Sequence, residues 1–169
     1  MKAISSADIN WGIGYKGQLL KRVPRDMQFF KEMTLGKVVV MGKGTFLSLP
    51  NKQPLKDRTN IILSKSAQYN IEGLVICRSI SGLFKELEKY PPDDIFIIGG
   101  ESIFTQLLPF CSESYITRFE KGFLADRHFP NLDMFDNWVL AEESEGFHYE
   151  DFGFRFLKYI NMAAEPANL

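Results

Sequence analysis

The chain has 169 residues, 45% of them hydrophobic and 14% aromatic, and a formal net charge of −1 at pH 7. This length suits a single domain, and the composition excludes a disordered, collagen-like or low-complexity protein. A net charge near zero argues against a nucleic-acid coat protein, which needs a basic domain. The apolar runs are too short for a membrane span of roughly 20 residues, and we expect no signal peptide.

Eight short apolar runs bounded by turn residues predict β-strands, because Val, Ile and Phe dominate them as in strands that are buried on both faces. The predicted strands are Lys2–Ser6, Lys37–Met41, Asn60–Leu63, Leu74–Cys77, Ile95–Ile98, Ser114–Glu120, Trp138–Glu142 and Arg155–Asn161.

Four helical patterns lie between these strands. Pro24 opens the first, a short one runs from Gly44 to Leu49, Ser79 or Ser81 can cap the third, and Gly100 leads into the fourth. Alternating strands and helices predict an α/β domain with a largely parallel sheet, to which the last strands add an antiparallel edge.

Hydroxyl groups and cations follow several of the predicted strands. The segments are Gly42-Lys43-Gly44-Thr45, Ser64-Lys65-Ser66 and Arg78-Ser79, and a glycine pair, Gly99-Gly100, follows a fourth strand. Each segment alone is more often a solvated loop or a tight turn. Because the carboxyl ends of parallel strands meet at one edge of a sheet, the repetition predicts a site for a ligand with several phosphates.

The charge is unevenly distributed along the chain. Residues 1–78 contain thirteen Lys or Arg and five Asp or Glu, a balance of +8, whereas residues 79–169 have a balance of −9. Solvated surfaces can produce such a difference, but the basic half can also bind an anion. Cys77 and Cys111 form no CxxC pattern, and with two His there is no plausible set of zinc ligands. We therefore expect reduced thiols in a cytoplasmic protein.

Three further features have both a structural and a functional interpretation. The glycine-rich stretch Asn10–Gly17 is either an ordinary surface loop or a mobile flap. Asp26 either stabilises a helix start or binds an N–C–N edge of a ligand from an apolar pocket. Arg58 is either a surface cation or a bidentate clamp on a carboxylate.

Along nearly its whole length the chain resembles the dihydrofolate reductases of the bacterial type. The matching segments stand in family order: Ile13-Gly14, Val23–Lys31, Val40–Phe46, Pro54-Leu55, Arg58–Asn60, Leu63-Ser64, Ile98–Phe104, Tyr115–Thr117 and Asp126–Pro130. The resemblance implies one domain over residues 1–162, with a C-terminal tail at 163–169. Its fold would be a mixed, mostly parallel eight-stranded sheet with about four flanking helices.

The resemblance also implies that the chain reduces 7,8-dihydrofolate to 5,6,7,8-tetrahydrofolate with NADPH, for one-carbon metabolism. It implies a monomer whose partners are the small-molecule substrate and antifolate inhibitors, without nucleic acid, membrane or metal. Asp26 would bind the pterin N3 and 2-amino edge and favour protonation at N5, with a water as the direct donor. Arg58 would bind the α-carboxylate of the glutamate tail, and Gly99-Gly100 would be the family's cis peptide.

Three groups of residues carry these implied roles. The catalytic group is Asp26, Leu19 and Thr117. The substrate-binding group is Ile4, Ser6, Asp26, Met27, Phe30, Leu49, Leu55, Arg58, Ile98, Phe104 and Thr117. The cofactor-binding group is Ser6, Ile13, Gly14, Gly17, Leu19, Gly42, Lys43, Gly44, Thr45, Leu63, Ser64, Lys65, Arg78, Ile98, Gly99, Gly100, Glu101, Ser102, Ile103 and Phe104, with the flap formed by residues 15–20.

The chain departs from the family pattern at four positions. Lys21 replaces a Trp that helps to hold a pocket water, Phe104 replaces a Tyr beside the nicotinamide, Ser6 replaces an Ala, and Lys43 replaces an Arg. Lys21 and Phe104 are the features that favour a non-catalytic or altered-substrate paralogue with the same fold. The combination of Asp26 and Arg58 argues against another alternative, a related reductase of riboflavin synthesis, because it suits a pterin joined to glutamate.

Overall fold

The computed structural model describes residues 1–166 and contains twelve strands and four α-helices within them. The strands are β1 (Lys2–Ala7), β2 (Gly12–Tyr15), β3 (Gln18–Leu19), β4 (Val38–Gly42), β5 (Thr59–Leu63), β6 (Leu74–Cys77), β7 (Ile95–Gly99), β8 (Glu113–Phe119), β9 (Arg127–His128), β10 (Trp138–Glu143), β11 (Phe147–Tyr149) and β12 (Phe152–Asn161). The helices are α1 (Pro24–Thr34), α2 (Lys43–Ser48), α3 (Ile80–Leu87) and α4 (Glu101–Leu107).

The main sheet follows the order β10-β12-β8-β1-β7-β4-β5-β6, with β11 paired to β12. The strands from β8 to β6 in this order are parallel, and β12 runs antiparallel to β8, β10 and β11. This arrangement confirms the prediction of a mostly parallel α/β sheet with an antiparallel edge. Each of the eight predicted strands lies within one or a few residues of an observed one.

Burial on both faces explains why the central strands were predictable. All five residues of β4 are buried, and β7 has only Ile98 partly exposed. Apolar clusters pack on the two faces of this region, one around Ile97 and Leu107 and the other around Met41 and Phe46. The layered core therefore fixes the carboxyl ends of β4, β5, β6 and β7 side by side.

A second sheet has the order β3-β2-β9, and its strand β2 follows β1 along the chain. The loop or flap predicted after β1 is here a hairpin, in which Lys16 and Gly17 have positive φ angles of 48° and 76° at the turn. Sequence patterns did not predict these strands, because two-residue strands and a glycine-rich one carry no alternation of apolar and polar residues.

The C-terminal segment is described as far as Pro166. Residues 162–166 are exposed, but the N–H groups of Ala163 and Glu165 donate to the Asn161 side chain and the Pro109 carbonyl. Residues 167–169 of the predicted tail lie outside the described residues. Within residues 1–166, no helix combines the length and apolar character of a membrane span, and no three His, Cys, Asp or Glu side chains group as metal ligands.

Candidate active site

A cleft of about 570 Å³ opens where the parallel strands end. Segments of both sheets and the first turns of α2 and α4 surround it. Its lining residues are Ser5, Ile13, Gly14, Tyr15, Lys16, Gly17, Gln18, Leu19, Gly42, Lys43, Gly44, Thr45, Ser48, Leu63, Ile98, Gly99, Gly100, Glu101, Ser102, Ile103, Phe104, Asp126 and Arg127. The cleft therefore brings together sixteen of the twenty residues predicted to bind a cofactor.

Two strand-to-helix turns form the floor of the cleft. Gly42 precedes α2 and Gly100 precedes α4, and neither supplies a side-chain cap to its helix. A Cβ atom on Gly42 would stand 2.9 Å from Cγ1 of Ile103, whereas a Cβ on Gly44 would meet nothing within 4 Å. The Gly99-Gly100 peptide bond is cis, as the resemblance implies. Backbone N–H groups at such turns can bind phosphate oxygens directly.

Three of the predicted cofactor-binding residues, Ser64, Lys65 and Arg78, follow β5 and β6, which pair through Leu63 and Cys77. Lys65 and Arg78 are both exposed there, and Nη1 of Arg78 donates to the Lys65 carbonyl at 3.2 Å. Ser64 Oγ accepts the N–H groups of neighbouring residues. Ser64, Lys65 and Arg78 therefore lie together beyond the lining of the main cleft, with both cations open to a ligand.

Asp26 lies in the first turn of α1, the helix that Pro24 begins. It is partly buried, and this burial raises the pKa of its carboxyl group from 3.8 to about 6. The nearby hydroxyl groups of Thr117 and Ser6 oppose the rise in pKa, and no charged neighbour contributes. Asp26 is consequently a carboxyl group that can change its protonation state near neutral pH.

The apolar members of the predicted substrate-binding group are buried or partly buried, except for Met27. Ile4 and Phe104 are buried, and the Phe104 ring packs on Phe129 with their centroids 4.5 Å apart. The remaining predicted apolar residues are Met27, which is 44% exposed, and the partly buried Phe30, Leu49, Leu55 and Ile98. Leu49, Leu55 and Ile98 pack against one apolar cluster, so a shared wall holds them.

Arg58 is held from two sides. Its Nε and Nη2 atoms donate to Thr34 Oγ1 at 3.2 Å, and Nη1 donates to the Lys56 carbonyl at 2.7 Å. Thr34 in turn donates to the Phe30 carbonyl, which links Arg58 to the end of α1. Burial lowers the pKa of Arg58, and the charge of Asp57 opposes this. The guanidinium group is therefore oriented before any ligand arrives.

Lys21, which stands where the family pattern has a Trp, forms an ion pair instead of a contact that could hold a pocket water. Its Nζ atom lies 2.5 Å from Oε2 of Glu150, in the turn between β11 and β12. The ion pair raises the pKa of Lys21. Lys21 thus connects the segment after the hairpin to the antiparallel edge of the main sheet.

Four lining residues were not predicted as site residues: Ser5, Ser48, Asp126 and Arg127. Ser5 and Ser48 carry no signal beyond a hydroxyl group near a strand or helix end. Asp126 and Arg127 belong to a segment that matches the family, but no role was inferred for either. Asp126 Oδ2 accepts the N–H of Lys16 at 3.0 Å, so this residue fixes the hairpin turn beside the cleft.

Comparison with known proteins identifies relatives over the same length. A family model described as dihydrofolate reductase matches residues 1–161. The dihydrofolate reductase of Bacillus subtilis strain 168 is 31% identical over 166 residues, which are 97% of this chain and 96% of that protein. The Staphylococcus aureus Mu50 dihydrofolate reductase is 32% identical over 139 residues, 82% of each chain.

A solved structure is similar over almost the whole fold. The dihydrofolate reductase from Enterococcus faecalis complexed with NADP(H) and RAB-propyl superposes with a TM-score of 0.83 at 28% identity, covering 95% of each chain. The family match spans every residue that lines the cleft and also Asp26.

Proposed function

We propose a residue-level mechanism for this chain, which belongs to the dihydrofolate reductase family and reduces 7,8-dihydrofolate to 5,6,7,8-tetrahydrofolate with NADPH. The observation that carries the mechanism is Asp26, whose pKa burial raises to about 6 while the hydroxyl groups of Thr117 and Ser6 oppose the rise. A carboxyl group in this setting, next to a cleft with glycine turns, suits a reaction that needs one proton and one hydride.

The cleft fits a dinucleotide cofactor. Gly42 and Gly100 leave the first turns of α2 and α4 accessible to a pyrophosphate, and the space beside Gly44 is open. Lys43, Ser64 and Lys65 would hold the 2′-phosphate and the adenosine, with Arg78 nearby. These cations favour NADPH over NADH because the phosphate adds negative charge. When bound, NADPH supplies the hydride to the carbon next to N5 of the pterin.

Asp26 binds the N3 and 2-amino edge of the pterin through two hydrogen bonds. Its negative charge favours a proton at N5, and a water delivers that proton because the carboxylate contacts the opposite part of the ring. Thr117, which is 1% exposed, orients Asp26. Leu19, on the hairpin at the mouth of the cleft, excludes water from the nicotinamide.

The substrate tail lies towards Arg58. Its guanidinium group is held by Thr34 and Lys56, so two of its edges are fixed before it binds the α-carboxylate of the glutamate. Leu49, Leu55 and Phe30 contact the benzoyl group between the two polar ends. We also propose a monomer with its catalytic domain in residues 1–162. The buried, unpaired Cys77 and Cys111 support a cytoplasmic location for it.

A spectrophotometric assay tests this function directly. Oxidation of NADPH is followed at micromolar enzyme with dihydrofolate, and NADH is run alongside. We expect turnover with NADPH and a large preference for it over NADH. Tight NADPH binding without turnover would instead favour the non-catalytic paralogue, and absence of both would overturn the proposal.

A further inference from the structure

Arg127 is a cation of the cleft for which the mechanism above has no role. It lies on β9, where its Cα is paired with that of Gly14 on the hairpin strand β2. A Cβ atom on Gly14 would stand 3.8 Å from the Cβ of Arg127, so the glycine leaves the space beside this side chain open. Arg127 is exposed and lines the cleft together with Gly99 and Gly100.

The Arg127 guanidinium group is available to bind a ligand, because its neighbours engage only part of it. Its Nη1 donates to the carbonyl of Asp126 at 2.8 Å, and within residues 1–166 no carboxylate forms an ion pair with it. The two acidic side chains of the cleft accept backbone N–H groups instead. Asp126 accepts from Lys16, and Glu101 Oε1 accepts from His128 at 3.1 Å. An arginine with a free edge, oriented by one carbonyl, can bind a phosphate.

The bond between Glu101 and His128 also determines which part of a dinucleotide Arg127 can reach. It joins β9 to the first turn of α4, which follows β7 and the Gly99-Gly100 turn. The 2′-phosphate group at the ends of β5 and β6 lies two and three strands further along the sheet. At about 4.8 Å per strand this is roughly 10 to 15 Å away.

Charge balance gives an independent reason for a cation at this position. Glu101 lies in the first turn of α4, where a pyrophosphate would approach, and its carboxylate opposes such an anion. Arg127 is the residue next to the one that binds Glu101, and its charge offsets that of the carboxylate.

We propose that Arg127 binds the pyrophosphate of NADPH and thereby compensates for Glu101 in the cofactor cradle. This inference rests on the proposed function, because it requires a dinucleotide in the cleft. Both NADPH and NADH contain the pyrophosphate, so this contact should contribute equally to the binding of the two cofactors. The selectivity between the two cofactors comes instead from the cations near the 2′-phosphate, which are Lys43, Lys65 and Arg78.

Equilibrium binding of NADPH and of NADH, followed by nicotinamide fluorescence, tests the inference without turnover. We expect Arg127→Ala and Arg127→Gln to weaken both cofactors by the same factor, about five- to tenfold for an exposed charged contact. Lys65→Ala should weaken NADPH alone. Lys85→Ala, which removes a cation on α3 outside the cleft, is the matched control and should change neither affinity.

The outcomes separate this inference from the proposed function. If the unaltered protein binds neither cofactor, the proposed function fails. If it binds NADPH but both Arg127 variants retain full affinity, the pyrophosphate contact is wrong. A loss confined to NADPH would place Arg127 at the 2′-phosphate and would also overturn the inference. Arg127 is exposed, and thermal melting of both variants, compared with that of Lys85→Ala, checks that they are folded.

Discussion

Ser6 and Thr117 are direct partners in the parallel pairing of β1 with β8, and the hydroxyl groups of both act on the Asp26 carboxyl group. Paired residues of adjacent strands point to the same face of a sheet, so the register itself delivers two donors to one acid. The family resemblance implies an alanine in place of Ser6. The second hydroxyl is thus a feature of this chain, and it stabilises the ionised form of Asp26.

The first prediction concerns the pH dependence of hydride transfer. Removing a donor to the carboxylate raises the pKa of Asp26, because burial, the largest influence, is then less strongly opposed. We expect Ser6→Ala to move the midpoint of the pH profile upwards from about pH 6, and Thr117→Val to move it further, since Thr117 has the larger effect. Single-turnover oxidation of NADPH at several pH values measures the midpoint.

Ser81→Ala, which removes an exposed hydroxyl at the start of α3, is the control for the loss of a hydroxyl group. If the Ser6→Ala and Ser81→Ala profiles coincide, Ser6 does not act on Asp26. A downward movement for Ser6→Ala would mean that its hydroxyl group stabilises the protonated acid instead.

The second prediction concerns stability and activity at Asp26. The pKa of Asp26 is raised from 3.8 to about 6 on folding, so its contribution to stability is fully present below pH 3.8 and is lost as the pH rises through 6. The Asp26→Asn variant does not lose stability in this way, because the asparagine side chain does not ionise. The free energy of unfolding of Asp26→Asn should therefore gain on that of the unaltered protein by up to about 3 kcal/mol between pH 4 and pH 7.5.

The same substitution should lower the rate of hydride transfer at pH 7.5 by about 100-fold or more, because it removes the charge that favours a proton at N5. NADPH affinity should remain nearly unchanged, since Asp26 lies outside the dinucleotide cleft. Urea titrations across pH and single-turnover kinetics give the two quantities. A constant difference in stability across this range would show that burial does not shift the pKa.

Strand ends were the part of the site that sequence patterns located well. Gly42, Lys43 and Gly99 directly follow buried apolar runs, and the carboxyl ends of adjacent parallel strands must meet at one edge. The raised pKa of Asp26 could not be predicted in this way. It depends on how β1, β8 and α1 pack, and residues 6, 26 and 117 are far apart along the chain.

Arg127 and the ion pair of Lys21 with Glu150 were missed for a related reason. Both depend on short strands and turns whose pairing is set by tertiary contacts, as in the two-residue strand β9. The departure at Lys21 was visible as a substitution, but its partner lies 129 positions later in the chain and no local pattern connects them.

The third prediction contrasts the two glycines at the start of α2. A Cβ atom on Gly42 would stand 2.9 Å from Cγ1 of the buried Ile103, so Gly42→Ala should lower the free energy of unfolding by about 1–3 kcal/mol through overpacking. A Cβ atom on Gly44 meets nothing within 4 Å, and Gly44→Ala should raise the stability by about 0.5 kcal/mol, because alanine favours the helix.

Chemical denaturation of the two variants under one buffer condition measures both effects, and each serves as the control for the other. Because Gly42 lies against the α4 turn, Gly42→Ala should also weaken NADPH binding. Equal stability of the two variants would contradict the close approach of Gly42 to Ile103.

The fourth prediction concerns the orientation of Arg58. Thr34 and Lys56 fix its guanidinium group before the substrate binds, and its proposed ligand is the α-carboxylate of the glutamate tail. Arg58→Ala should therefore raise KM for dihydrofolate by about 10- to 100-fold, the range for a lost hydrogen bond to a charged group. Because Arg58 is proposed to bind the tail and not the reacting ring, kcat should change little.

Dihydropteroate, which lacks the glutamate, should show the same KM with both proteins. Thr34→Val, which removes the oxygen that accepts from Nε and Nη2, should raise KM by a smaller factor for dihydrofolate alone. If Arg58→Ala weakened both substrates equally, Arg58 would act on the pocket wall and not on the tail, so the comparison of the two substrates decides whether the clamp exists.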